Sequence, residues 1–219
     1  MFFLKKIGHA GTLDPVAEGL IIILINKATK LSGIFLKMDK TYVAQILIGV
    51  STDTWDLEGH ITAKSCIDNI SKAAFEEAAE SLKGNFIQQP PVYSAKKISG
   101  KPAYHYVRNK GIDPDKIILK KNMVMIYDIS VEYFCAGKAV LKIKCSSGTY
   151  VRSVVHEIGQ KLGCGAILTG LKRTEIGNFN IENSTSLKEL ERVSLTCKTG
   201  IEEIQKNYKG IIAAESISY

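Results

Sequence analysis

The stretch from Met123 to Cys145 constrains the fold most. Lys138 to Cys145 alternates strictly, with Ala139, Leu141, Ile143 and Cys145 on one face and Lys138, Lys142 and Lys144 on the other. A period of two belongs to a strand with one buried and one solvated side. Met123 to Phe134 has strand character too, and Ala136-Gly137 turns one segment into the other. The expected product is a hairpin with a basic outer face. Such a hairpin is not stable alone and needs further strands or helices to cover its apolar side.

The rest of the chain supplies them. Thr41 to Val50 alternates, with Tyr42, Ala44, Ile46, Ile48 and Val50 sharing a face. Ser71 can cap a helix that carries Phe75, Ala78, Ala79 and Leu82 and stops at Gly84. A second helix is expected from about Tyr150 to Leu162, with Gly163 as its stop. Asp14-Pro15 has the form of a helix opening, with Asp as N-cap and Pro in first position. The run GLIIILINKATK that follows is buried in either state. Residues 85–122 hold most of the prolines and many lysines, and are expected to form a partly helical excursion outside the core. Leu168 to Phe179 is a further strand region, and Ser186 to Arg192 starts a short helix. The last 27 or so residues have no strong period and look like an extension. Strands and helices do not alternate regularly, so the class is α+β with a mixed, mainly antiparallel sheet.

Composition narrows the function. The chain has 219 residues, 45% hydrophobic and 23% charged, enough for one large domain with a small appendage. Its net charge of +7 is spread along the sequence, as on a folded surface that meets nucleic acid. The five cysteines, at 66, 135, 145, 164 and 197, include no C-x-x-C pair, and no two of the four histidines stand at i, i+4. A metal site is therefore not expected, and reduced, mostly buried thiols in a cytoplasmic protein are. The longest purely apolar run, Leu20 to Ile25, is six residues, far short of a membrane span. MFFLKKIGH places its charge after the apolar residues, unlike a signal peptide.

The chemistry points to GHAGTLDPVAEG, residues 8–19. An acid at the binding face of a polyanion-binding protein lowers affinity, so Asp14 needs a reason to be there. The plain reason is an N-cap, worth about 1 kcal/mol. The functional reading is a catalytic carboxylate, and a helix N-terminus would suit both. Tyr42 is either a core tyrosine or a platform for an unstacked base. Arg152 would sit at a helix start, where the dipole disfavours a cation. It is either an exposed arginine or the partner of a specific carboxylate. His9 is a loop histidine or an acid–base group. Lys5, Lys6, Lys96, Lys97, Lys101, Arg108 and Lys110 are candidate phosphate contacts.

Four blocks, in order, resemble the bacterial tRNA pseudouridine synthase B family. They are GHAGTLDPVAEGL (8–20), DKTYVAQILIGVSTDTWDLEG (39–59), QPPVYSAKKISGKPAYHYVR (89–108) and SSGTYVRSVVHEIGQKLGCGA (147–166), with LKRTEIG (171–177) as a shorter fifth. The resemblance implies a pseudouridine synthase fold, a mixed sheet with flanking helices around a catalytic cleft. It also implies isomerisation of the T-loop uridine (position 55) of tRNA, by base flipping and without metal or organic cofactor. Asp14 aligns with the essential aspartate, Tyr42 with the tyrosine that stacks on the base, and Arg152 with the arginine that pairs with the aspartate. Tyr150 aligns with a second active-site tyrosine, Leu171 with an apolar pocket residue, and His9 with the histidine near the flipped nucleotide. Lys6, Lys96, Lys97 and Arg108 complete the expected RNA contacts. The partner is the T arm of tRNA, and the chain is expected to act as a monomer.

Two departures from the family pattern shape the expected organisation. The K-P-x-G-x-T-S type segment that usually precedes the aspartate block is absent, so residues 1–190 are a catalytic domain lacking its N-terminal family segment. Lower stability, an open sheet edge and an incomplete pocket are then expected. Residues 191–219 are a short C-terminal extension, too few for a complete RNA-binding PUA domain, which shifts RNA binding toward 85–122. The alternative function is an RNA chaperone, a tRNA-binding protein with weak or no catalysis. A sister synthase working with guide RNAs would be expected to carry long basic tails.

Overall fold

The structure, a computed structural model, describes residues 6–94, 96–98, 101–108, 112, 116, 117, 119–190 and 211–214. In chain order the first elements are β1 (Ile7–His9), β2 (Ala17–Ile25), α1 (Ser32–Lys37), β3 (Lys40–Ile48), β4 (Val50–Thr52), β5 (Ile61–Lys64), α2 (Lys72–Glu80) and β6 (Gly84–Gln88). Then come β7 (Lys97–Ile98), β8 (Lys101–Pro102), α3 (Ala103–Arg108), β9 (Asn122–Cys135), β10 (Lys138–Cys145), α4 (Val151–Lys161) and β11 (Ala166–Ile176). Last are β12 (Phe179–Asn180), β13 (Thr185–Ser186) and β14 (Ile211–Ala214). The chain divides into two compact units, residues 1–43 with 171–219, and residues 44–170. β3 and β11 contribute residues to both.

In the first unit the strand order is β13-β14-β2-β11, with β1 also on β2. β1 and β14 pair antiparallel with β2, while β13 runs parallel to β14 and β11 runs parallel to β2, Leu171 opposite Ala17 and Arg173 opposite Gly19. On β2, β14 covers Gly19 to Ile22 and β1 covers Ile23 to Ile25. The core is Ala10, Leu20, Ile22, Leu24 and Ile176, with Phe35 of α1 tilted on Phe179 at 5.9 Å.

The helix expected after Asp14-Pro15 is a strand instead. The Ala17 amide donates to the Asp14 carbonyl at 2.8 Å, which closes a turn with Asp14 first and Pro15 second. A type I turn favours the same two residues in those positions. Ile21, Ile22, Ile23 and Ile25 then favour the extended state, as β-branched residues do. Burial alternates along the strand, with Leu20, Ile22 and Leu24 buried and Ile21, Ile23 and Ile25 half-buried.

The second unit matches the hairpin expectation. β10 runs antiparallel to β9, with Ala139, Leu141, Ile143 and Cys145 buried and Lys138, Lys142 and Lys144 exposed. The strand order is β3-β10-β9-β6. Ala44, Ile46 and Ile48 of β3 join this core, as do Val154, Val155 and Ile158 of α4. The Ser71 hydroxyl accepts from the Ala74 amide at 3.1 Å and caps α2, whose Phe75 packs on Phe134 at 5.3 Å. Residues 84–88 correct the expectation for 85–122. Gly84 opens β6 instead of only ending a helix, and β6 pairs with Asn122 to Ile126 of β9 while Phe86 and Gln88 are buried. The remainder of that segment contains α3 and the short β7–β8 pair, as a partly helical excursion should. Among the described cysteines only Cys145 and Cys164 are buried, and Cys66 and Cys135 are exposed, against the expectation of mostly buried thiols. Burial raises the Cys164 thiol pKa. The final extension, except 211–214, and Cys197 lie outside the described residues.

Gly19 lets β11 approach. Its φ is +108°, and a Cβ there would stand 2.4 Å from the Arg173 carbonyl oxygen. Gly19→Ala should therefore destabilise the chain by about 2 kcal/mol or more, from overpacking and left-handed strain together. Urea unfolding of the full chain checks this, and an unchanged midpoint would remove the packing argument.

Candidate active site

In the first unit the site is built around β11. Arg173 is 2% exposed, although it is an arginine on a strand. Its Nε donates to the Leu20 carbonyl at 2.7 Å and its Nη2 to the Gly11 carbonyl at 3.2 Å. One guanidinium thus ties the glycine loop ahead of Asp14 to the strand behind it. Asp14 is half-buried at the turn into β2, and the turn delivers Ala17 to its place opposite Leu171, which is buried. Tyr42, half-buried on β3, is fixed through its neighbour. The Thr41 hydroxyl donates to the Glu175 carboxylate at 2.6 Å, and the Thr174 hydroxyl donates to the Thr41 carbonyl at 3.2 Å. Asp14, Tyr42 and Leu171 are therefore all positioned by bonds to one strand. His9 is exposed at the end of β1, opposite Ile23, and Lys6 is exposed just before it.

In the second unit the centre is Arg152, in the first turn of α4 and 4% exposed. Nη1 pairs with the Asp56 carboxylate at 3.2 Å and also donates to the Thr54 carbonyl at 3.3 Å, while Nη2 donates to the Tyr93 carbonyl at 3.2 Å. Asp56 is buried as well, and its Oδ1 accepts from the Thr54 hydroxyl at 2.5 Å and the Glu58 amide at 3.0 Å. The anion that a misplaced arginine requires is thus present. Asp56 was not singled out in the sequence, because TDTWDLEG carries three carboxylates on a loop that reads as solvated.

That loop is tightly tied. The Asp53 carboxylate accepts from the His60 amide at 2.8 Å and the Tyr93 hydroxyl at 3.3 Å. Gly59 is needed there, since a Cβ would meet Asp53 Oδ1 at 2.3 Å. Trp55, the chain's single tryptophan, has φ +62° and stacks on His156 of α4 at 4.1 Å and 12°. Burial lowers the His156 pKa, and the nearby Glu157 charge opposes that in part.

Tyr150 is the half-buried N-cap of α4, and its amide donates to the side chain of buried Gln88 at 2.9 Å. Gln88 in turn donates to the Gly148 carbonyl at 2.7 Å, so β6 clamps the loop that presents Tyr150 and Arg152. Lys96 is committed locally, with Nζ donating to the Lys120 carbonyl at 2.5 Å and Asn122 Oδ1 at 3.3 Å. Lys97 lies in β7 and Arg108 ends α3; their side chains, with those of Lys101, Lys5 and Lys110, lie outside the described residues. Among the described residues no cluster of histidine, cysteine or carboxylates could hold a metal. No described helix is long and apolar enough to cross a membrane.

Comparison with known proteins places this architecture. Residues 1–151 match the family model "TruB family pseudouridylate synthase (N terminal domain)", and residues 152–212 match "tRNA pseudouridylate synthase B C-terminal domain". The chain belongs to the TruB family. It is 43% identical over 188 residues to the tRNA pseudouridine synthase B of Clostridioides difficile, covering 86% of this chain and 62% of that one. With the same-named protein of Azoarcus it shares 39% over 198 residues, 90% of this chain and 64% of the relative. The chain thus spans a little under two thirds of the length of these relatives. Its fold is similar to a chain in the crystal structure of a Cbf5-Nop10-Gar1 complex, with a TM-score of 0.69, 25% identity, and coverage of 95% of this chain and 51% of that one. The pseudouridine synthase fold read from the sequence is therefore correct.

Two predictions follow from the second unit. Asp56→Asn should cost about 3 kcal/mol of stability, because it removes the charge of the carboxylate that the buried Arg152 guanidinium pairs with. Asp56→Glu should recover part of that in urea unfolding. His156 favours its neutral form when folded, so the stability it contributes is full above the unfolded pKa of about 6.5 and is lost as pH falls below it. The urea midpoint should drop between pH 7.5 and 5.5, and His156→Phe, which keeps the stack, should flatten that drop.

Proposed function

We propose that this chain converts the T-loop uridine of tRNA, position 55, to pseudouridine, acting as a monomer in the cytoplasm. The observation that carries the reading is the match of both family models across residues 1–212, with Asp14 held on a braced loop beside β2. The +7 charge suits an RNA substrate.

Asp14 is the nucleophile in this reading. Its carboxylate acts at the junction of sugar and base, covalently or by proton abstraction. The N–C glycosidic bond breaks, the uracil turns, and a C–C bond forms at the same sugar carbon; the ring carbon that bonds gives up its proton, and the freed ring nitrogen takes one up. Product and substrate have the same atoms and oxidation state, so the reaction needs no redox cofactor or co-substrate. The uridine must leave its stack first, at a cost of a few kcal/mol. Tyr42 supplies a face on which the extruded base stacks, and Leu171 gives the pocket an apolar wall that shields the detached uracil from water. Arg152 is the active-site arginine of this reading, and Asp56 orients its guanidinium. Tyr150 takes the role of the second active-site tyrosine that the resemblance implies, His9 that of the histidine near the flipped nucleotide, and Lys6, Lys96, Lys97 and Arg108 meet phosphates. Phosphate and shape contacts to the folded T arm offset the cost of flipping. The chaperone alternative has no observation in its favour.

The test is pseudouridine formation in a T-arm stem-loop RNA. Wild type should form product, and Asp14→Ala should lower the rate by roughly four orders of magnitude or more. Full activity in Asp14→Ala would end the nucleophile assignment. Absence of product from the wild type would end the enzyme reading.

A further inference from the structure

The outer face of the β9–β10 hairpin takes no part in the site described above. It is the face opposite the one that buries Ile129, Leu141 and Ile143. Lys138, Lys142 and Lys144 stand along it in a row of about 20 Å, a length that a few nucleotides of extended single strand cover. The carboxylate opposite Lys144, Asp128, pairs with Lys83 at 3.2 Å, and Lys83 also pairs with Glu80 at 3.4 Å. Exposed Glu132 lies at the bulge beside Tyr133. The lysines therefore leave a positive excess on this face.

The same face also presents large apolar groups. Tyr133 is 51% exposed and lies directly opposite Val140, and exposed Ile87 and Met123 pair across β6 and β9 further along. Between the hairpin and β3 lies a groove of about 320 Å³, lined by Tyr133, Lys138, Val140, Leu47, Gln45 and Thr169. Apolar side chains, a tyrosine, a lysine and two polar side chains around one groove suit a nucleobase with its phosphate.

We infer that this face binds single-stranded RNA, with one unstacked base in the groove against Tyr133 and the following phosphates on Lys138, Lys142 and Lys144. The choice of RNA over another polyanion rests on the proposed function. The site itself is separate from the residues assigned to catalysis.

The experiment uses the full chain, a single-stranded 12-nucleotide RNA and the T-arm stem-loop. Tyr133→Ala should weaken the 12-mer by roughly 5- to 100-fold, the loss of one stacked base. The triple change Lys138→Gln, Lys142→Gln, Lys144→Gln should lower the slope of log K against log salt by about 2, as three single-strand phosphate contacts require. Both variants should melt like wild type and modify the stem-loop at the wild-type rate. Unchanged affinity and slope in both variants would overturn the inference. So would a loss in the triple variant with none in Tyr133→Ala, because a polyanion held by charge alone needs no aromatic wall. A wild type that leaves the stem-loop unmodified, yet loses 12-mer binding in both variants, would overturn the catalytic reading and uphold this one.

Discussion

The first unit depends on one buried guanidinium. Arg173 emerges from β11 on its apolar face and donates to carbonyls on both sides of the glycine loop, those of Gly11 and Leu20. Both bonds are charge-assisted, which makes them about twice as strong as neutral ones. Burying the cation costs several kcal/mol, and those bonds offset that cost only if the loop takes one shape. The loop is thereby specified, and Asp14 inherits the precision. Gly19 is the other half of the same device, because only its missing Cβ allows the Arg173 backbone so near.

The second unit repeats the principle with a different balance. Arg152 is equally buried, but it receives a full carboxylate from Asp56 as well as two carbonyls. Asp56 is itself saturated by Thr54 and Glu58, so the pair forms a closed network. A network with every member satisfied rigidifies its surroundings, whereas a half-satisfied one costs stability. The Trp55–His156 stack and the Gln88 clamp brace the two chain segments that meet there, the 52–60 loop and the start of α4.

What could be read from the sequence followed from periodicity. The β9–β10 hairpin, β3, α2 and α4 all declared themselves, because their apolar residues recur at the period of their own backbone. Asp14-Pro15 misled because the pair suits the start of a helix and the start of a β-turn equally well. Only the isoleucines downstream favour the turn, and they stand in an apolar run too short to arbitrate. β6 escaped because five residues between a helix and a proline-rich stretch offer no period to count. Residues that carry their own motif were named as candidates from the sequence. Asp56 was not, because its meaning lies in a partner on α4 far along the chain. A signal for Arg173 existed: Leu171 and Arg173 share the inward face of an alternating strand, and an arginine there must have an acceptor.

The contrast between the buried arginines and the exposed lysines follows from their chemistry. Guanidinium is planar, weakly hydrated and always charged, so it can be taken into a core and made to hold several acceptors at fixed angles. Ammonium is a compact, strongly hydrated point charge that is costly to bury and useful at a surface. Both well-buried arginines of the described chain, Arg152 and Arg173, brace loops, while the lysines of β10 stay in water. The bulk charge of +7 therefore overstates what is uniformly available to a polyanion. Arg173 braces the glycine loop, Lys96 is tied to its own neighbours, and three lysines stand on one exposed face of β10. A polyanion that meets this protein is steered by where the lysines stand, not by the total.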